Sequence, residues 1–273
     1  MSYYNIWGLE KEPFSTSPDP DFFYRSDSHN AALKRLEIAL RLRRGLCLIL
    51  GDIGTGKTTL LRALLQLFKE EEDFEFHIIL SPNFKSEYQF LLNLVKIFNI
   101  APAYRSTLDL KEALERYLFQ KGVEENKTIV LLIDEGQKMT LENLEILRTL
   151  LNYETNEYKL LQLVIMSQLE LLPRLKKMRN FIDRLALRYT INPLDESQTK
   201  EMIQFRLEQA GYHRQNGIFS DETIGLIYQH TQGYPRKISM LCHSALEAAV
   251  MQEASSVDAE IIKSLIANEN AYE

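Results

Sequence analysis

The 273-residue chain has only two cysteines, Cys47 and Cys242. Two distant thiols form neither a disulfide framework nor the paired spacing of a structural zinc site. Both fall in apolar stretches, which predicts buried thiols in a reducing compartment. The five histidines, at 29, 77, 213, 230 and 243, are scattered without metal-ligand spacing, so structural or surface roles are expected of them. No apolar run approaches the ~18 residues that a membrane-crossing helix needs. The first residues, Met1-Ser2-Tyr3-Tyr4-Asn5-Ile6-Trp7, lack the basic and apolar regions of a secretory signal peptide. There is no internal repeat and no low-complexity segment. Nor is there a basic excess: the net charge is −6, which leaves only a local basic surface to attract nucleic acid. The 45% hydrophobic and 26% charged composition is that of an ordinary globular protein, with length for one large domain or two smaller ones.

What the chain does have is Gly51-Asp52-Ile53-Gly54-Thr55-Gly56-Lys57-Thr58, followed by Thr59. This is the G-x-x-x-x-G-K-T pattern of a phosphate-binding loop. The apolar run Leu46–Leu50 before it suits a buried strand. The stretch Thr59–Phe68 after it carries an apolar stripe at helical spacing, with Arg62, Gln66 and Lys69 on the wet side. Glycines let the backbone turn and bring N–H groups close to phosphate oxygens. A helix starting near Lys57 turns its positive end the same way. Lys57 is then expected at the β- and γ-phosphates of ATP, and the Thr58 hydroxyl on Mg²⁺.

The aromatic and proline-rich residues 1–25 read as an arm packing on the ATPase core. A helix is expected from Ser26 or Ser28 to about Arg44. Strands are expected at 74–80, 128–133, 160–166 and 186–191, in addition to 46–50. Helices are expected at 86–98, 106–121 with Gly122 as its cap, 140–151, and 169–178 with a break near Pro173; a turn falls at Ala101-Pro102. From Asp195 onward the pattern is helical throughout: 196–210, 220–231, 236–252 and 257–267. The reading is a P-loop α/β domain over 26–193 with a five-stranded parallel sheet, and a small all-helical lid over 194–273.

The run Ile129–Ile133 delivers Asp134 and Glu135 to the carboxyl edge of such a sheet, where ligands of open α/β sheets gather. Asp134 there suits the Mg²⁺ shell, and Glu135 suits a base that polarises a water for attack on the γ-phosphate. Ser167 and Gln168 end the next central strand, and either side chain could bond the attacking water. Pro235 suits a helix start, and Arg236 beside it could reach a phosphate. Arg179, Arg184 and Arg188 are candidates for an arginine finger acting on a neighbour's γ-phosphate.

Together these stretches resemble the AAA+ class of ATPases, and more narrowly the ExeA/GspA-type ATPases of bacterial type II secretion. The stretches that carry the resemblance are Trp7-Gly8-Leu9, Pro13-Phe14, Pro18–Ser26, Gly51–Leu61, Asp134-Glu135-Gly136-Gln137, Ser167–Leu171 and Gly233–Ile238; the N-terminal arm and the last of them are specific to the narrower branch, and the loop and the Asp134-Glu135 pair are not. It implies a sensor 1 near Gln168, a sensor 2 at Arg236, a finger most like Arg184, and ATP-dependent homo-oligomerisation into a ring or filament. It also implies a bacterial cytoplasmic module with a secretion or envelope partner and no membrane insertion of its own. Members of that type commonly have Ala where Gly136 stands, and Gly-Gln-Pro where Ser167-Gln168-Leu169 stands. Secretion members continue into a membrane helix and a periplasmic region, whereas this sequence stops at Glu273. That reads as an excised cytoplasmic domain or a stand-alone relative. Stand-alone relatives include transposition ATPases of the TnsC and MuB kind, for which the partner is duplex DNA.

Overall fold

A computed structural model describes residues 3–101, 106–213 and 217–270. In chain order the elements are α1 (Tyr3–Ile6), α2 (Asp27–Arg41), β1 (Leu46–Leu50), α3 (Lys57–Leu67), β2 (Phe74–Ile79), α4 (Glu87–Ile97) and α5 (Thr107–Phe119). Then come β3 (Thr128–Ile133), α6 (Leu141–Leu150), β4 (Leu161–Ser167), α7 (Leu171–Leu175), α8 (Arg179–Ile182) and β5 (Leu185–Thr190). The chain closes with α9 (Glu196–Gln209), α10 (Asp221–Thr231), α11 (Pro235–Met251) and α12 (Ala259–Asn270). The turn expected at Ala101-Pro102 lies partly outside the described residues. No helix among the described residues is long and apolar enough to cross a membrane.

The chain divides into two compact units. The α/β unit comprises residues 28–53 and 60–191. Its five strands are all parallel, in the order β2-β3-β4-β1-β5. The sequence explains the order of burial. β1 is apolar throughout, β3 and β4 are apolar apart from Thr128, Gln162 and Ser167, and all three are buried along their whole length, as strands covered on both faces must be. β2 and β5 carry charged or polar side chains and take the two edges. The register pairs Leu50 with Ser167 and Ile133 with Ile165, so β1 and β4 end together while β3 ends two residues short of them on the same edge. Leucines of α4, α5 and α6, together with Phe90, Phe98 and Phe181, close a core around β1, β3 and β4.

Two local expectations change. Gly122 does not cap α5: the chain runs on through a π-turn, Gln120–Glu124, in which Gly122 is buried. A Cβ there would lie 2.9 Å from Leu160 Cδ2, so the glycine serves a close approach. Pro173 does not break its helix either. It sits within the first turn of α7, where its missing N–H has no helical partner to lose, and the break comes later, between Leu175 and Arg179.

The helical unit comprises residues 1–27, 54–59 and 192–273. Its core joins Ile203, Ile238, Leu246 and Ile262 from the helices with Trp7, Leu9, Phe14 and Phe22 from the arm. Trp7, Phe14 and Phe22 of the arm therefore bury among the C-terminal helices of their own unit, a surface that their sequence context had not indicated. The reason is supply and demand of apolar surface. The α/β core is closed by its own helices, whereas α9 and α11 present apolar faces that the arm fills. Phe14 meets Phe219 edge to face at 6.0 Å, Trp7 Nε1 donates to the Leu246 carbonyl at 3.4 Å, and Glu10 N–H donates to the Ala210 carbonyl at 2.8 Å.

Candidate functional site

The loop leaves β1 after Leu50 and enters α3 at Lys57. Gly54 (φ +82°) and Gly56 (φ +91°) adopt left-handed backbone, which glycine tolerates without steric cost. Thr55 is fully buried, which anchors the turn, while Ile53 stands exposed. Lys57, Thr58 and Thr59 form the first turn of α3, whose N–H groups have no partner within the helix. Residues 54–59 cluster with the helical unit, and within that unit they line a cleft of about 290 Å³. The other walls are Ser15–Pro18 of the arm, Arg206 of α9, and Pro235, Arg236 and Ser239 of α11.

Arg236 is brought to the loop by main-chain contacts. Its N–H donates to the Gly54 carbonyl at 3.2 Å, and a Cβ on Gly54 would come within 2.9 Å of the Arg236 Cβ. Two residues before Pro235, Gly233 (φ +74°) donates no side chain because there is no room for one: a Cβ would lie 1.8 Å from the Leu194 carbonyl oxygen. Leu194 N–H in turn donates to the Gly233 carbonyl at 2.9 Å. This junction fixes where α11 begins, and hence where Arg236 starts from.

Arg206 is partly buried in the same cleft. Its Nε donates to the Phe22 carbonyl at 3.2 Å, and one terminal nitrogen donates to the carbonyls of Pro13 (3.4 Å) and Ser15 (3.3 Å) and to Ser239 Oγ (2.9 Å). Burial pulls its pKa down to about 10 against the opposing pull of nearby negative charge, so it stays protonated at neutral pH.

In the α/β unit, the carboxyl edge of the sheet gathers the other polar residues. Gly51 N–H donates to the Ser167 carbonyl at 3.1 Å, and Asp134 N–H to the Ile79 carbonyl at 2.8 Å. Asp134 is buried, and its Oδ1 accepts the Glu135 N–H at 2.8 Å. Glu135 is a non-glycine residue in left-handed backbone (φ +53°), a local strain of the kind that functional sites retain. Its carboxylate pairs with Lys138 Nζ at 2.5 Å, in a pair exposed enough to be worth little.

Gln137 ties the ends of β3 and β4 together. Its Oε1 accepts from the Gln168 N–H at 3.1 Å and from Ser167 Oγ at 3.4 Å. Arg174 donates to the Gln137 carbonyl at 2.6 Å and also to the Met139 carbonyl, clamping the turn after Glu135. Ser167 is itself the last residue of β4 and is fully buried, so Gln168 is the less buried of the two polar side chains at that strand end. Gly136 is packed against the same strand: a Cβ would stand 2.4 Å from Ile165 Cγ2.

Each unit carries an oxygen donor of the kind that suits a divalent ion: the Thr58 hydroxyl in the helical unit and the Asp134 carboxylate in the α/β unit. No group of three or more histidine, cysteine or acidic side chains forms a metal cage among the described residues. Single donors of this kind suit Mg²⁺, which keeps several waters and is held through one or two protein oxygens plus substrate phosphates.

Arg184 is not brought to this edge. It directly precedes Leu185, which pairs with Leu46, so it lies at the amino edge of the sheet. A strand length, roughly 17 Å, separates the two edges. Arg184 is partly buried there and helps hold the Glu145 carboxyl below its usual range, behind the larger effect of Arg148. Arg179 and Arg188 are exposed.

Residues 40–175 match the family model described as the AAA domain. The chain is 34% identical over 249 residues to General secretion pathway protein A of Aeromonas hydrophila, covering 90% of this chain and 45% of that protein. This is an AAA+ ATPase-family chain of the General secretion pathway protein A type. It spans less than half the length of that relative. The AAA+ fold is shared with the Aeropyrum pernix ORC2 protein, solved as ADPNP–ADP complexes (TM-score 0.69, 15% identity, 94% of this chain and 71% of that one). It is shared also with the Aeropyrum pernix ORC1 protein solved with DNA (TM-score 0.68, 17% identity, 98% and 70%).

Several residues of the candidate site have no role that the sequence assigns: Gln137 and Pro18 lie in family-like stretches without one, and Arg174, Arg206 and Ser15–Ser17 lie in no motif. For Arg206 a signal was available. Thr199, Met202, Ile203, Leu207 and Ala210 form the buried stripe of α9, and Arg206 sits within that stripe at helical spacing.

Proposed function

We propose that the chain is a Mg²⁺-dependent ATP hydrolase whose nucleotide state governs its self-assembly. The loop N–H groups and the Lys57 ammonium hold the β- and γ-phosphates, and Arg236 reaches the same anion from α11. Thr58 and Asp134 hold the metal ion, which when bound neutralises phosphate charge. Glu135 orients a water and accepts its proton, after releasing Lys138. Gln168 bonds that water or the γ-phosphate from the end of β4. Arg184, at the far edge of the sheet, serves the site of a second copy. The observation that carries this reading is the cleft over Gly54–Thr59, walled by Arg236. By similarity to General secretion pathway protein A, the partner is a protein of a bacterial secretion or envelope system, met in the cytoplasm.

The test is steady-state ATP hydrolysis and nucleotide binding by the wild type and Glu135→Gln. The variant is expected to bind ATP and stay assembled while turnover falls to background. Ordinary turnover by Glu135→Gln removes Glu135 from the mechanism.

A second reading has a specific observation behind it. Lys176 and Lys177, in the connection between α7 and α8, and Arg179, at the start of α8, are exposed, a local cationic surface on an otherwise acidic chain. A similar fold, the ORC1 protein, was solved with DNA. If duplex DNA is the partner, it stimulates hydrolysis, and the stimulation fades between low and physiological salt.

A further inference from the structure

The arm and the loop line one cleft, and Arg206 ties the arm to α11, the helix that contacts the loop. Arg206 holds three main-chain carbonyls of the arm, those of Pro13, Ser15 and Phe22. The same guanidinium donates to Ser239 Oγ at 2.9 Å, and the Ser239 hydroxyl donates to the Pro235 carbonyl at 2.9 Å. Pro235 directly precedes Arg236, whose N–H is bonded to Gly54. These four partners of Arg206 are neutral, and the cleft beside it is the one proposed to receive a polyanion.

We infer that Arg206 is a positioning residue that links nucleotide occupancy of the loop to docking of the N-terminal arm. The inference rests on the ATP-binding reading above. A triphosphate in the cleft supplies much more negative charge than Asp19 alone next to a partly buried cation whose hydrogen-bond partners at the arm and Ser239 are neutral. It therefore stabilises Arg206 in place, and with it the carbonyls of residues 13, 15 and 22. The arm in turn walls the cleft with Ser15–Pro18. Coupling of this kind is reciprocal: the factor by which nucleotide tightens the arm is the factor by which the docked arm tightens nucleotide.

The experiment measures amide hydrogen exchange of residues 13–22 with and without a non-hydrolysable ATP analogue, alongside the analogue's affinity. It uses the full chain as wild type, Arg206→Met, Arg206→Lys and Ser239→Ala. In the wild type, the analogue is expected to slow arm exchange by about tenfold, within the ordinary range of coupling between sites. In Arg206→Met, the slowing is lost and affinity falls by a similar factor. Arg206→Lys keeps the charge but not the fork, and retains part of the effect. Arm exchange that rises in Arg206→Met with affinity unchanged makes Arg206 purely structural and overturns the inference. So does a wild type that binds the analogue without slowing arm exchange. A wild type that binds no analogue overturns the ATP reading itself, and the inference with it. If Arg206→Met does not fold, Ser239→Ala decides: reduced coupling supports the link, and coupling equal to wild type overturns it.

Discussion

The two edges of the parallel sheet carry different chemistry. At the carboxyl edge stand Gly51, the buried Asp134, the strained Glu135 and the β4 end at Ser167-Gln168, tied together by Gln137. At the amino edge stands Arg184, beside Glu145 and Arg148 and away from every one of those groups. The carboxyl edge is held by the Gly51–Ser167 and Asp134–Ile79 main-chain bonds and by the Gln137 side chain, so its parts are fixed by the fold of one unit. If Arg184 acts on a phosphate as proposed above, it does so on a site that another copy brings to it, which calls for head-to-tail association and not a self-complementary dimer.

The comparison can be broken first at the loop. Lys57→Ala is expected to weaken ATP binding by about 100-fold, equivalent to the roughly 3 kcal/mol of a charge-assisted contact to a desolvated anion. Titration calorimetry with ATP and Mg²⁺ measures it, and wild-type affinity contradicts the assignment of the loop.

Gly136→Ala probes the carboxyl edge without touching a charge. The new methyl would stand 2.4 Å from Ile165 Cγ2 in a packed strand, so a destabilisation of about 1–3 kcal/mol is expected in urea unfolding. An unchanged midpoint would mean that β4 yields at Ile165. The contact with Ile165 gives a physical reason for glycine at this position.

The smallest effects sharpen the amino edge. Arg179→Ala and Arg188→Ala remove exposed cations, and each is expected to leave turnover within about twofold of wild type, the usual range for surface substitutions. A large loss in either moves the finger away from Arg184.

Much of the fold was legible because it is written in contiguous patterns. The runs at Leu46–Leu50 and Thr128–Ile133 are apolar apart from Thr128 and became fully buried strands with the expected bounds. The helices of the C-terminal unit fell within two or three residues of their periodic stretches. The loop and the Asp134-Glu135 pair were legible as candidates for the same reason. The rest depends on contacts between distant residues. Gln137 reaches Gln168 across 31 positions and Arg206 reaches Ser15 across 191, and neither leaves a local pattern. The destination of the arm was missed because aromatic content says that a segment must be buried, not against which surface. Gly122 and Pro173 misled because each also serves a role other than cap or breaker, set by Leu160 in one case and by position within α7 in the other.

The measurement that tests the account most directly is ATP turnover by a mixture of Arg184→Ala and Lys57→Ala. Alone, Arg184→Ala is expected to bind ATP and lose about a thousandfold in turnover, and Lys57→Ala to be inactive for want of nucleotide. Mixed in equal amounts, they should recover part of the wild-type rate, because Lys57→Ala supplies an intact Arg184 to the occupied site of its neighbour. A mixture no more active than its two components contradicts a site completed across copies, and with it the division of labour between the two edges of the sheet.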